Sequence, residues 1–256
     1  MNTILPQSEP ARATSDDTLL GGAVRLRQPV DGYRVAIDPV LLAASVPATS
    51  ADNVLDIGCG VGAASLCLAA RVACRVVGIE QQRDLVRLAG DNIAANGLAA
   101  RVTVMAGDLL HPPPRLEPGT FAQVMANPPF LEAGTASPSP LGGKSAANIE
   151  GDADLAAWVN FALGMARNRG GITFIHRVDR MAALLGLLSG RAGDIVVFPL
   201  WSGVGKAAKR VIVHARKGSA APMRLMPGLV LHQADGRNTE AAEAILRHGA
   251  PLNLVP

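Results

Sequence analysis

The stretch "VLDIGCGVGAAS", residues 54–65, decides how the rest of the chain is read. A short apolar run that breaks into alternating glycines and resumes as an alanine- and leucine-rich segment reads as a buried strand turning sharply into a helix. Gly58, Gly60 and Gly62 allow that turn and let a ligand come close to the backbone. Working outward, the same rhythm repeats. "AASLCLAARV" reads as a helix, "CRVVGIE" as a second strand, and "QQRDLVRLAGDNIAANG" as an amphipathic helix closed by Gly97. "RVTVMAGD" and "FAQVMA" give the third and fourth strands. "DADLAAWVNFALGMARN" is a helix, "GITFIH" the fifth strand and "RMAALLGLL" another helix. The rhythm then changes: "DIVVFPLW" and "KRVIVHAR" lie close enough to pair antiparallel without a crossover helix, and "GLVLH" and a short helix near "NTEAAEAILRHG" finish the chain. Upstream, residues 18–37 predict one or two hairpin strands, and "DPVLLAAS" predicts a helix with Asp38 as N-cap and Pro39 at the first helical position. Alternating βα units predict a doubly wound α/β fold, a mostly parallel sheet with helices on both faces. Ligands in such sheets bind beyond the carboxyl ends of the strands.

Composition fits that class. The 256 residues are 49% hydrophobic and 18% charged, enough for a large core and too apolar for disorder. No apolar run reaches about 18 residues and the first residues carry no leader pattern, so a soluble, cytoplasmic protein is expected. Cys59, Cys67 and Cys74 are odd in number and form no C-x-x-C pair, which argues for reduced structural thiols and against a zinc site. Charge is uneven. Residues 1–160 hold 11 basic against 16 acidic residues, and residues 161–256 hold 13 against 5. The basic C-terminal part suits an anionic partner such as nucleic acid, or is an ordinary solvated surface.

Three acids stand near successive strand ends. Asp56 precedes the first glycine by two residues. Glu80 ends the second strand, where a carboxylate can accept both hydroxyls of a ribose, in NAD as well as in an adenosyl group. Asp108 follows the third strand, placed either to accept from an adenine amino group or to cap a helix. Gly58, Gly60 and Ala63 also fit the G-x-G-x-x-A form of a dinucleotide site. The fourth strand runs into "ANPPF": Asn127, the rigid Pro128 and Pro129, then Phe130. Two prolines halt a helix or a central strand, so the asparagine is held at a strand end.

The order "VLDIGCGVG", "VVGIE", "AGDLL", "ANPPF" resembles the class I S-adenosylmethionine-dependent methyltransferases, in the amino-methylating branch marked by Asn/Asp-Pro-Pro-aromatic. The resemblance implies a Rossmann-like, seven-stranded, mostly parallel sheet with a reversed C-terminal hairpin. It implies S-adenosyl-L-methionine as cofactor, with Gly58, Gly60 and Gly62 around its methionine part and Asp56 nearby. Glu80 would take the ribose and Asp108 the adenine. At the turn, the Asn127 side-chain oxygen and the Pro128 carbonyl would accept from the amino group to be methylated, and Phe130 would stack on a flat substrate.

The segment "GYRVAIDPVLLAASV", with "NPPF" and "GLVLHQADGRNTEAAEAIL", is similar to the bacterial tRNA(Val) adenosine-N6 methyltransferase family, from about residue 20 onward. That similarity implies tRNA, or another structured RNA, as partner, with Asp38 closing over the cofactor; a plain helix cap is the other reading. A protein glutamine amide or a small-molecule amine is the alternative substrate, and an NAD-dependent oxidoreductase the more distant reading. No metal and no membrane partner are expected. Residues 1–17 are expected as a flexible tail and 18–256 as a single methyltransferase domain. Within it, 18–50 form an N-terminal hairpin and helix, and 131–151 a substrate-side loop carrying Lys144. Candidate RNA-phosphate contacts are Lys206, Lys209, Arg210, Arg216 and Lys217, with Tyr33 and Trp201 as further stacking candidates.

Overall fold

Apolar runs, most continuous in the middle strands, build a central sheet. They are β3 (Asn53–Ile57), β4 (Arg75–Glu80), β5 (Val102–Ala106), β6 (Phe121–Ala126), β7 (Ala166–Arg177), β8 (Ala192–Trp201) and β9 (Ala208–Lys217). The computed structural model describes residues 12–31, 34–129 and 153–254. The strands lie in the order β5-β4-β3-β6-β7-β9-β8. Those from β5 to β7 are parallel, and β9 enters antiparallel between β7 and β8. This is the expected seven-stranded sheet with its reversed strand. Two further strands of two residues each, β10 (Arg224–Leu225) and β11 (Leu229–Val230), add to the β8 edge and make nine. Segments that short carry no period-two signal.

The helices are α1 (Asp38–Ser45), α2 (Ala63–Arg71), α3 (Arg83–Ala95), α4 (Leu155–Met165), α5 (Met181–Leu188) and α6 (Glu240–His248). Strand alternation divides the core. Val54, Val76 and Met125 pack with α1, α2 and α3 on one face. Leu55, Ile57 and Val124 pack with α4 and α5 on the other. All eight residues of α1 are buried, as its apolar composition requires. The helix expected over 152–168 spans 155–165. It opens at Asp154, whose Oδ1 accepts the Ala157 N–H at 2.8 Å, and the chain then turns directly into β7.

The N-terminal expectation needs correction. Residues 14–17 belong to β1 (Thr14–Leu19), which pairs antiparallel with β2 (Val24–Pro29), so the tail expected over 1–17 does not extend past residue 13. The strand is masked in sequence because its polar residues find partners across the hairpin. Asp16 accepts from Arg27 at 2.8 Å, and Asp17 from Gln28 at 2.8 Å and Arg34 at 2.7 Å. The hairpin is anchored by Asn92 of α3, which exchanges hydrogen bonds with the backbone N–H and C=O of Arg27 at 2.7 and 2.9 Å. A buried asparagine on the core side of an amphipathic helix is thus explained by the edge it docks.

β3 lies between β4 and β6, so successive connections leave it toward opposite edges of the sheet. The crevice beyond its carboxyl end is where this topology places a ligand.

Candidate active site

Strand register sets the site. Ile57 pairs with Ile79 and with Ala126, and Glu80 with Ala106, so Gly58, Glu80, Ala106 and Asn127 come level at the carboxyl ends. Gly58, Gly60 and Gly62 have φ of 66°, 56° and 87°, left-handed conformations in which a side chain is strained. Gly58 has a second constraint: a Cβ there would lie 2.5 Å from the Trp158 ring of α4. A Cβ on Gly60 would meet nothing within 4 Å, so the middle of the loop faces open space.

The carboxylates do different work. Asp56 lies beneath the loop, where it accepts from Ser65 Oγ of α2 at 2.7 Å and ties the strand to the following helix. Burial pushes its carboxyl up to about 7 despite that bond. Glu80 is buried at the loop's edge. Its Oε2 accepts the Gly60 N–H at 3.0 Å and its Oε1 the Gln82 N–H at 2.9 Å, and burial again raises its pKa. A loop amide is therefore oriented by the acid that the sequence marked for a ribose. Asp108 is held low, first by the Leu110 N–H on its Oδ1 at 2.9 Å and also by His111. It organises a turn rather than capping a helix.

Asn127 leaves β6 with Pro128 buried behind it. Its Oδ1 is buried and accepts no hydrogen bond in the described structure. A buried acceptor without a donor costs about 1–3 kcal/mol, a debt an arriving N–H group removes. Phe130, Tyr33, Lys144 and the loop at 131–151 lie outside the described residues.

Asp38 does not cap α1, whose N-cap is Ile37. Its Oδ2 instead accepts from Arg210 Nε of β9 at 2.9 Å, because a carboxylate sunk in an apolar helix needs a charged donor. Arg210 pairs in register with Arg177 at the carboxyl end of β7, on the site's side of the sheet. Lys206 and Lys209 precede it and are exposed there. Arg216 and Lys217 sit at the opposite end of β9, level with Gly171, and Lys217 is spent on the Ala166 carbonyl at 2.8 Å. The basic candidates thus separate into two groups. Sequence reading missed Arg177 and Arg180, which join the site's side, and Ser65 and Trp158, whose roles depend on which helix lands over the glycine loop. The three cysteines are free and buried. No described helix is long and apolar enough to cross a membrane.

Sheet order, reversed strand and glycine loop together define the class I methyltransferase fold, Rossmann-like α/β. Residues 34–139 match the methyltransferase small domain family. Over 109 residues the chain is 35% identical to a tRNA1(Val) (adenine(37)-N6)-methyltransferase of Erwinia tasmaniensis, covering 42% of this chain and 44% of that one. The match therefore spans less than half of that relative's length. A Haemophilus influenzae protein of the same name is 26% identical over 213 residues, covering 81% and 87% of the two chains. Among solved structures, a predicted O-methyltransferase of Agrobacterium tumefaciens superposes with a TM-score of 0.69 at 23% identity, covering 84% of this chain and 98% of that one. TYW2 of P. horikoshii gives 0.56 at 14%, covering 80% and 72%.

Proposed function

We propose that the chain is an S-adenosyl-L-methionine-dependent N-methyltransferase acting on the N6 amino group of an adenine in tRNA. The observation that carries this reading is the buried, donor-less Oδ1 of Asn127, level with Gly58 at the mouth of the glycine loop. The residues present fit the cofactor. The loop centre at Gly60 has room for a ligand, and Glu80 and the loop amides edge that space. The names of the relatives support the substrate.

When bound, S-adenosyl-L-methionine supplies an electrophilic methyl group on a sulfonium sulfur. The protein's task is to make a poor nucleophile attack it. An adenine amino group delocalises its lone pair into the ring. Acceptance of its N–H groups by Asn127 Oδ1 and the Pro128 carbonyl would localise the pair and aim it. Asn127 has no basic role at neutral pH, and none is needed, since the methylated nitrogen becomes cationic and sheds a proton readily. Lys206 and Lys209 add exposed positive charge suited to phosphates on the same side of the sheet, where Arg177 and Arg210 are paired with Asp179 and Asp38.

The test is transfer of labelled methyl from the cofactor to total RNA and, separately, to total protein. Label in RNA with the wild type, reduced about 10²–10³-fold in Asn127→Ala, is expected. Label in protein alone would move the substrate to a glutamine amide or another amine. Absence of cofactor binding by calorimetry would remove methyl transfer altogether and leave nicotinamide chemistry to be tried.

A further inference from the structure

We propose that a second ligand site, for a phosphate group, lies at the opposite end of the sheet from Asn127. A cleft of about 400 Å³ opens there between the C-terminal end of α1, the ends of β8 and β9, and the segment around Leu252. Arg216 follows Arg210 by six residues along β9, about 20 Å at 3.3 Å per residue, so this cleft and the glycine loop are separate.

Arg71, Arg216, Arg224 and His214 line the cleft, with Asp194 as the one acid among the described residues. Asp194 is shared by two arginines, Arg224 Nη2 at 2.6 Å and Arg216 Nε at 3.6 Å. It is one of three residues other than glycine with a left-handed backbone among those described, at φ 51°, held by its N–H on the Ala221 carbonyl at 2.8 Å. Arg71 gives Nη2 to the Ala43 and Val46 carbonyls at 2.6 and 3.0 Å, while its Nε is buried and donates to nothing in the described structure. His214 Nδ1 and Thr173 Oγ1 are hydrogen-bonded at 2.9 Å, and burial lowers the histidine pKa to about 4, so the ring is neutral near pH 7. Arg216 also gives Nη1 to the Arg169 carbonyl at 3.2 Å. Among the described residues of the lining, three guanidinium groups stand against one carboxylate, a surplus of positive charge. A planar fork of donors is the geometry that takes a phosphate by paired hydrogen bonds. The volume suits a small ligand, and the wall formed by Val46, Ala48 and Leu252 suits an apolar body attached to the phosphate.

The phosphate can belong to a small molecule or to a distant part of an RNA chain, and calorimetry separates the two. Inorganic pyrophosphate is titrated at physiological salt into wild type, Arg216→Gln/Arg224→Gln and Asp194→Asn. Saturable binding is expected in the wild type, weakened at least about tenfold in the double variant. It should strengthen severalfold in Asp194→Asn, which tolerates the same backbone conformation and removes the internal competitor. The gain in that variant cannot come from misfolding. Total tRNA titrated into the same proteins reports the source: equal loss of tRNA affinity assigns a backbone phosphate, and unchanged tRNA affinity a small molecule. No saturable pyrophosphate binding, or the same affinity in all three proteins, overturns the site. S-adenosyl-L-methionine binding, measured in parallel, is expected to be unaffected in every variant.

Discussion

Asp56 shows what a single residue contributes when its surroundings change its chemistry. In sequence it is an acid before a glycine loop; in the fold it is fully enclosed, bound to Ser65 Oγ and shifted up to about 7 by burial. The folded state then holds a proton that the unfolded chain releases near pH 4. Between those values the folded form binds more protons, so this group's contribution to stability falls as pH rises from about 4 to about 7 and then levels off. Asp56→Asn keeps an acceptor for Ser65 and has no proton to lose. Its melting temperature is therefore expected to be flatter than the wild type's between pH 5 and 7.5, measured by calorimetry at matched salt. A parallel fall in both proteins would contradict the assignment. Asn127 is the second such residue: its type was readable, but the burial and lack of a donor that give its oxygen a purpose were not.

At the scale of the element, the glycine loop is held by two conditions at once. Gly58 needs a left-handed backbone and has Trp158 where a Cβ would go. Gly58→Ala therefore combines strain of about 1–2 kcal/mol with a steric clash. It is expected to lower stability and to weaken S-adenosyl-L-methionine binding, read by denaturant unfolding and calorimetry. Trp158→Leu removes the clash but not the strain and has its own packing cost, so Gly58→Ala is expected to cost less in the Trp158→Leu background than in the wild type, with the strain remaining. The hairpin β1–β2 makes a different point. Its first strand looked like tail because Ser15, Asp16 and Asp17 have no apolar alternation, and it is a strand because Arg27, Gln28 and Arg34 answer it.

For the molecule as a whole, charge placement relates the two ends of the sheet. Lys206 and Lys209 stand on the side of Asn127, whereas Arg216 and Arg224 stand at the far cleft. If RNA approaches the former face, Lys206→Gln and Lys209→Gln should each lower the slope of log affinity against log salt by roughly 1, with little effect on S-adenosyl-L-methionine binding. Filter binding across a salt series measures that slope. A slope unchanged in the pair of variants would remove these lysines from the interface.

The order of strands and helices, the glycine turn, the strand-end acids and the Asn-Pro-Pro corner could all be read along the chain, because each depends on periodicity or backbone chemistry within a few residues. Tertiary structure alone decided which groups answer them. Asp38 turned from a helix cap into the partner of Arg210, 172 positions away. Glu80 became the anchor of a loop amide, and β9 carried its basic residues to two opposite ends of the sheet. Burial, charge pairing and the missing donor at Asn127 depend on neighbours brought together by packing, and spacing along the chain does not encode those distances.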